Sequence, residues 1–433
     1  VPEQSAYAGE PQPELADLDK CTRCGLCEQA CPTYKLLSFE PDSPRGRVFL
    51  MKEVAQGDAP VGEHLARHLY QCLGCRACET VCPAGVPYGK LLERARYQIE
   101  RAGELTPARR NWRRFRSLAF ERVLPSPGMF RAAMFPARVL QQVPGALKFA
   151  QSLPLPQKVR RLVRMIPGGQ SAPLPARSAD SRGRAQPGRT KRQRVGIFLG
   201  CVMRSLFGRV HRATIDVLER NGCEAIVPQG QWCCGALNVH AGERNAACVM
   251  ASRNVEVFLA AGVDAVIVNA AGCGAMMKEY AELLGDNERT RSFCAKVKDV
   301  TEFLSGLSLE PGFASAPARV TYHDACHLAH GQRIRRQPRE LLRGVRGLEY
   351  VELPSADECC GAAGVYNLTQ PVLAQAILDK KLDALASTRA SVVATANPGC
   401  AMQIQAGLLD RGSHMRVCHP VELLAESYDA GLR

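Results

Sequence analysis

The chemistry legible in this chain lies in its cysteines and their spacing. Cys21-x2-Cys24-x2-Cys27-x3-Cys31-Pro32 recurs as Cys72-x2-Cys75-x2-Cys78-x3-Cys82-Pro83. Three thiols spaced two residues apart reach three corners of one iron–sulfur cubane. The fourth lies too far along to close the same cluster, and in two-cluster proteins of this spacing it crosses to the other. The spacing therefore assigns Cys21, Cys24, Cys27 and Cys82 to one [4Fe–4S] cluster, and Cys72, Cys75, Cys78 and Cys31 to a second. Disulfides or zinc are the competing uses of eight cysteines, but zinc knuckles pair two CxxC units and have no use for the x3-Cys-Pro tail. Two adjacent clusters imply that the chain moves single electrons.

A second cysteine pattern is an internal repeat. Cys201, Cys233-Cys234-Gly235 and Cys273 are followed by Cys326, Cys359-Cys360-Gly361 and Cys400. The gaps are 32 and 39 residues in the first copy and 33 and 40 in the second. Two superposable modules follow, expected to be related by a pseudo-twofold axis. Adjacent cysteines strain a disulfide between them, and the glycine after them lets the backbone pass close to something bulky. A metal or iron–sulfur centre in at least one module fits both facts, with zinc an alternative for one of them because four thiolates also suit a tetrahedral ion. Buried structural thiols are the other reading. Cys223, Cys248, Cys294 and Cys418 have no counterparts in the repeat and are expected to be ordinary buried cysteines. His323, His327 and His330 cluster beside Cys326 with no equivalents in the first copy. They either tune a cluster through hydrogen bonds or are structural.

Strands and helices must position these thiols. In the first module, short apolar runs at Val195–Leu199, Glu224–Val227 and Ala265–Asn269 alternate with helical periodicity, as in Val210, Thr214, Val217 and Leu218 before Gly222. The second module repeats this with Val320–Tyr322, Glu349–Leu353 and Ser391–Ala394, and with Leu378, Leu382 and Leu385 on one helix face. Alternation of this kind predicts a parallel α/β sheet. The repeat cysteines then fall beyond the carboxyl ends of strands, where open α/β sheets hold ligands. Between Cys31 and Cys72, helical periodicity at Arg47–Val54 and Gly62–Leu69, with Pro44 at a helix start, predicts a helix-rich cluster domain.

At 433 residues the chain accommodates several cores. Its 20 cysteines, in a chain of this size with no expected secretory signal, suit a reducing cytoplasm. No apolar run approaches the ~20 residues that span a bilayer. The net charge is +14, but residues 101–194 alone hold 21 Lys/Arg against 3 Asp/Glu. The remainder is slightly acidic, which argues against a general nucleic-acid binder. In that segment Pro125, Pro127, Pro136 and Pro144 are expected to cut short pieces, and residues 168–194 to form a flexible loop. It reads either as a solvated linker with some helices or as a basic amphipathic surface for anionic lipid or an acidic partner. Arg109, Arg110, Arg113 and Arg114 are the charges expected to serve such docking.

The expected fold class is α+β and multidomain: a helix-rich two-cluster ferredoxin domain followed by a pseudo-twofold pair of α/β Cys-Cys-Gly modules. The expected divisions are a mobile arm at 1–15, the ferredoxin domain at 16–100, the basic connector at 101–194, and modules at 195–310 and 311–433.

Finer stretches carry a family resemblance over essentially the whole chain. Cys21-Thr-Arg-Cys-Gly-Leu-Cys-Glu-Gln-Ala-Cys-Pro-Thr-Tyr, Pro44-Arg-Gly-Arg47, Gly272-Cys-Gly-Ala-Met-Met-Lys-Glu-Tyr280 and Thr395-Ala-Asn-Pro-Gly-Cys400 resemble the iron–sulfur subunits of bacterial glycolate oxidase. The Cys-Cys-Gly repeats also resemble those of heterodisulfide reductase, the anaerobic glycerol-3-phosphate dehydrogenase small subunit and lactate-utilisation proteins. Heterodisulfide reductases carry a fifth cysteine, as CxxC, at the end of each repeat. Here Met276 and Gln403 stand there, which puts a noncubane cluster and disulfide chemistry in doubt and leaves a four-thiol cluster open. The resemblance implies an electron-transfer subunit of a flavin-dependent 2-hydroxy acid dehydrogenase. It further implies that an FAD-bearing partner subunit oxidises glycolate, or alternatively D-lactate or another 2-hydroxy acid, and that electrons pass towards quinone. No Gly-x-Gly-x-x-Gly follows a strand, so the chain is not expected to bind the hydroxy acid. A thiol–disulfide reductase and a redox-responsive binding protein are the rival classes. The expected place is the cytoplasm, with peripheral contact to the inner face of its membrane.

Overall fold

A computed structural model describes residues 5–102, 117–168, 193–312 and 317–430. The four arginines Arg109, Arg110, Arg113 and Arg114, and the Pro/Gly/Ser/Arg-rich stretch from 169 onward, lie outside the described residues.

The first module is built on strands β1 (Arg194–Phe198), β2 (Glu224–Ile226), β3 (Ala265–Val268) and β4 (Val297–Asp299). They form one parallel sheet in the order β2-β1-β3-β4. The second module repeats the order, β6-β5-β7-β8, with β5 (Ala318–Tyr322), β6 (Leu348–Val351), β7 (Val392–Ala394) and β8 (Arg416–Cys418). Every residue of β3 and β7 is buried, as expected where helices cover both faces of a parallel sheet. Three strands per module match the apolar runs in the sequence. β4 and β8 have three residues each and no run to announce them. The helix Gly208–Arg220 buries Val210, Thr214, Val217 and Leu218, and Gly222 follows it at φ 83°.

The repeat glycines have a different neighbour from the one their sequence position suggests. Gly235 and Gly361 sit at φ +82° and +83°, where an L side chain is strained. A Cβ on Gly235 would lie 3.1 Å from Cα of Ala247, and one on Gly361 would lie 2.6 Å from the Ala374 carbonyl oxygen. The bulk they admit is the backbone of the helices Arg244–Ala260 and Pro371–Ser387. Each glycine also donates its N–H to the first cysteine of its pair, at 3.5 Å to Cys233 Sγ and 3.4 Å to Cys359 Sγ.

The cluster domain is helical, with helices Pro44–Gln56, Glu63–Tyr70 and Tyr88–Arg101. Pro44 occupies the first helical position, and the Ser43 hydroxyl accepts the Gly46 N–H at 2.9 Å. Residues 5–14, expected to be a mobile arm, are tied down. Ala6 N–H donates to Val54 O at 3.1 Å, Gln98 Nε2 to Gly9 O at 2.9 Å, and Tyr7 is buried.

The connector is more than a solvated linker. Its helix Pro127–Gln142 runs straight through Pro136, which was expected to break it. Tertiary contact outweighs the lost hydrogen bond. Phe130 meets Trp232 edge-on at 5.9 Å, Trp232 Nε1 donates to Leu124 O at 2.6 Å, and Asn238 Nδ2 donates to Phe120 O at 2.7 Å. Further along, Gln157–Met165 packs against Pro398–Asp410 of the second module. Among the described residues, no helix is long and apolar enough to cross a membrane.

Replacing Gly361 by alanine should cost about 1–3 kcal/mol, because it adds backbone strain at a helix contact. Denaturant unfolding of the metal-loaded protein measures this. A loss under 0.5 kcal/mol, the scale of an ordinary surface change, would show that the turn is not constrained.

Candidate iron–sulfur centres

In each module three loops at the carboxyl ends of the strands bring four cysteines together. Cys201 follows β1, the Cys233-Cys234 pair follows β2, and Cys273 lies in the first turn of the helix Ala271–Lys278 after β3. The thiols interact in a row, Cys201 with Cys233, Cys233 with Cys234, and Cys234 with Cys273. The second module repeats the row through Cys326, Cys359, Cys360 and Cys400. Contact with the neighbouring thiol, and then burial, push Cys201 and Cys326 well above the ordinary thiol range. Cys360 is lowered by Cys359, but Cys400 and burial outweigh this and raise it. Such thiols ionise together only beside a cation, so the donor set fits a metal or iron–sulfur group.

In the cluster domain one thiol of the first motif lies near the thiols of the second. Burial raises Cys75 most, and the neighbouring Cys326, Cys72 and Cys31 thiols add to it. Burial likewise raises Cys78, followed by Cys75, Cys72, Glu79 and Cys31. Cys31 of the first motif thus lies with Cys72, Cys75 and Cys78 of the second. Burial pushes Cys27 up to about 11, with Cys21 among its neighbours. Cys21, Cys27 and Cys82 pack against the apolar core that also buries Cys72 and Cys78, and Cys24 is exposed. These surroundings, too, fit iron–sulfur groups.

The two systems meet at Cys75. It shares an apolar cluster with Cys359 and the half-buried Cys326, and both thiols act on it electrostatically or are acted on by it. Docking is polar at the rim. Lys35 pairs with Glu358 at 2.7 Å, Thr80 Oγ1 bonds His330 Nδ1 at 2.8 Å, Tyr366 donates to Gln71 O at 3.0 Å, and Arg76 pairs with Glu279 at 2.6 Å. All eight repeat cysteines, together with Cys72, line one cavity of about 680 Å³. Its walls are mostly apolar and include Phe120, Phe130 and Met134 of the connector, and His240 and His327 also reach it.

Arg47 is the residue whose role the spacing does not reveal. It is fully buried. Its Nε donates to His68 O at 2.8 Å, its Nη1 to Thr33 Oγ1 at 3.2 Å, and its Nη2 reaches Asp42 Oδ1 at 3.4 Å. Burial opposes its charge, but Cys72, Tyr88, Cys31 and Asp42 outweigh burial and hold it protonated. Only its place in the Pro44-Arg-Gly-Arg47 stretch marked it. Tyr88 donates to Cys72 Sγ at 3.4 Å, and so does Gly74 N–H at 3.3 Å.

The three histidines separate by role. His330 is structural, held by Thr80, by the Asp357 carbonyl at 3.1 Å and by Arg335 at 3.1 Å. His327 Nδ1 is 3.5 Å from Cys326 Sγ, and its ring lies 5.2 Å from that of His240. His323 stands with Cys360 and Cys400. Of the four cysteines outside the repeat, Cys223 and Cys418 are buried, whereas Cys248 and Cys294 are only half-buried. Met276 is buried in the core, and Gln403 accepts from Asn367 Nδ2 at 3.1 Å.

Paired thiol sets on a helical domain and two parallel-sheet modules define an iron–sulfur electron-transfer subunit. Family models agree with this: a 4Fe-4S dicluster domain matches residues 17–86, and a cysteine-rich domain matches residues 195–278 and 320–405. The chain is 38% identical over 424 residues to the probable glycolate oxidase iron-sulfur subunit of Bacillus subtilis, covering 95% of this chain and 94% of that one. It is 33% identical over 390 residues to the glycolate oxidase iron-sulfur subunit of Escherichia coli, covering 88% of each. Lactate utilization protein A of Geobacillus thermodenitrificans is 33% identical over 236 residues, which is 53% of this chain and 98% of that protein. The chain belongs to the family of glycolate oxidase iron–sulfur subunits.

Replacing Arg47 by methionine should lower the midpoint potential of the iron–sulfur signal that depends on Cys72, because a buried cation favours the more negative reduced state. It should also cost about 1–3 kcal/mol of stability by leaving the buried His68 carbonyl and Thr33 hydroxyl without their guanidinium donor, while Asp42 keeps His68 at 2.8 Å. A redox titration followed by EPR and a denaturation curve measure the two effects. An unchanged potential would mean that the guanidinium charge is cancelled locally by Asp42.

Proposed function

We propose that this chain is the electron-transfer subunit of a flavin-dependent 2-hydroxy acid dehydrogenase, with glycolate as the substrate of the complex. The observation that carries the reading is the continuity of buried thiols from the cluster domain through Cys75 to Cys326 and Cys359. Family membership supports it, and so does the mostly apolar lining of the cavity. Two [4Fe–4S] clusters are assigned, one to Cys21, Cys24, Cys27 and Cys82 and one to Cys72, Cys75, Cys78 and Cys31. A further metal group is assigned to one or both repeat sets. These groups each supply one-electron storage. The chain's own residues do the rest. Thiols hold the groups, Arg47 supplies fixed positive charge, and the apolar walls of the cavity exclude water. The domain divisions proposed are 16–100 for the cluster domain, 101–194 for the connector, and 195–310 and 311–433 for the modules.

An FAD-bearing partner subunit takes the electron pair from the substrate Cα–H, and this chain accepts it in single steps. Quinone is the acceptor class proposed. The connector supports a place at an anionic membrane surface on the cytoplasmic side. Phe135 and Phe149 are 64% and 67% exposed there, and no acidic residue occurs between Glu121 and the end of the described segment at Gly168.

Two experiments test this reading. The complex purified with its native partners should reduce a quinone analogue with glycolate, and cluster reduction should appear within turnover. Activity with D-lactate alone would move the assignment to that substrate, and no cluster reduction by either would remove the function. For the ligands, Cys82→Ser should damage the cluster that Cys21→Ser also damages, and Cys31→Ser the other. EPR spectra showing the opposite pairing would end the crossed assignment.

A further inference from the structure

The two modules share one topology, yet one buried position makes their sites unequal. Three residues before the first repeat cysteine, the first module has Phe198 and the second has His323. Phe198 ends β1 and packs against Phe258 with ring centroids 6.2 Å apart. His323 follows β5 and is fully buried. One of its ring nitrogens and the sulfurs of Cys360 and Cys400 all lie within 4.8 Å of one another. Neither ring nitrogen has a hydrogen bond of ordinary geometry. The Ala356 carbonyl faces the ring, but it already accepts from Asp324 N–H at 3.1 Å and from Lys381 Nζ at 3.3 Å.

A buried imidazole left without partners costs free energy that phenylalanine at the same repeat position avoids. Metal-ligating histidines sit in such surroundings, with one nitrogen on the metal and the other turned to a backbone carbonyl. Metal–sulfur and metal–nitrogen bonds of about 2.3 and 2.0 Å hold two donors at most about 4.6 Å apart, a separation of the same size as the limit on this triangle.

We propose that His323 is a nitrogen ligand of the metal group in the second module, sharing it with Cys360 and Cys400, where the first module offers thiolates alone. The inference rests on the reading of the repeat thiols as metal ligands. It puts a neutral nitrogen in the second module where one of the four thiolates serves in the first. Imidazole in place of thiolate makes a site less negative and raises its potential. The second module, which is the one in contact with Cys75, is then the more favourable resting place for an electron leaving the cluster domain.

The test uses the whole chain, purified anaerobically with its metals, with and without 15N-histidine. Pulsed EPR should find histidine nitrogen coupled to the iron signal that Cys360→Ser abolishes. If that site holds zinc, zinc-edge X-ray absorption should find a light scatterer at about 2.0 Å. The nitrogen signature should vanish in His323→Phe and persist in His327→Phe, while the cluster-domain signals stay unchanged as a check on folding. His323→Cys should keep the metal, lose the nitrogen signature and shift the midpoint potential down, which covers the case in which the phenylalanine variant does not fold. A metal that depends on Cys360 but shows no nitrogen in the native protein, or nitrogen that persists in His323→Phe, overturns the role of His323. Absence of any metal dependent on Cys360 overturns the reading of the repeat thiols, and this inference with it.

Discussion

Thiols packed against one another in a dry interior cannot all ionise unless a cation shares the space. Most of the architecture follows from that constraint. The repeat cysteines stand in rows, six of the eight buried and Cys273 and Cys326 half-buried, and several are pushed above their ordinary range by contact and desolvation. Around Cys72 and Cys31 the protein contributes one fixed cation, Arg47, wired to Asp42, His68 and Thr33. Elsewhere Lys381 acts on Cys359 and Cys360, Arg204 on Cys201 and Arg45 on Cys27, and a metal group has to supply the rest of the compensating charge. Loops after strands provide the rows because a parallel sheet leaves its carboxyl ends open on one side, and three loops there converge without covering the site with regular structure.

The junction between cluster domain and modules follows the same economy. Its centre is apolar, with Leu73, Cys75, Ala77, Cys359 and Tyr366 in one cluster. Charge pairs such as Lys35–Glu358 and Arg76–Glu279 stand around it. Lys35–Glu358, the more exposed of the two, contributes little to affinity and more to orientation. The apolar centre keeps water from the space between the neighbouring thiol sets. The connector contributes a further wall: Phe120 and Phe130 both anchor it to the first module and line the shared cavity.

A repeat that keeps its topology and changes one buried side chain acquires direction. The sheets, the Cys-Cys-Gly turns and the N–H bonds from Gly235 and Gly361 are duplicated. The residues around the duplicated thiols are not. His327 and His323 flank one row, while Phe198 and an apolar wall flank the other. Two equivalent sites would exchange electrons without preference, whereas unequal ones set an order.

The sequence by itself determined the thiol inventory, the repeat, three strands in each module and the helical cluster domain, because spacing and periodicity are local properties of a chain. It also carried the family resemblance through the stretches around Cys21, Pro44, Gly272 and Thr395. Several features were decided only in three dimensions. The short strands β4 and β8 have no periodicity to read and exist because β3 and β7 offer them an edge. Residues 5–14 are fixed by bonds to Val54 and Gln98, which are remote in sequence. Pro136 sits within a helix that is anchored on both sides of it, by Phe130 against Trp232 and by Gln141 bonded to Leu206 O. The glycine of each Cys-Cys-Gly turn makes room for a helix backbone, a neighbour that no spacing names. The meeting of Cys75 with Cys326 and Cys359, and of His323 with Cys360 and Cys400, depends on how separately folded units pack. Burial and distance between remote residues are properties of that packing, and they set the electrostatics of the site.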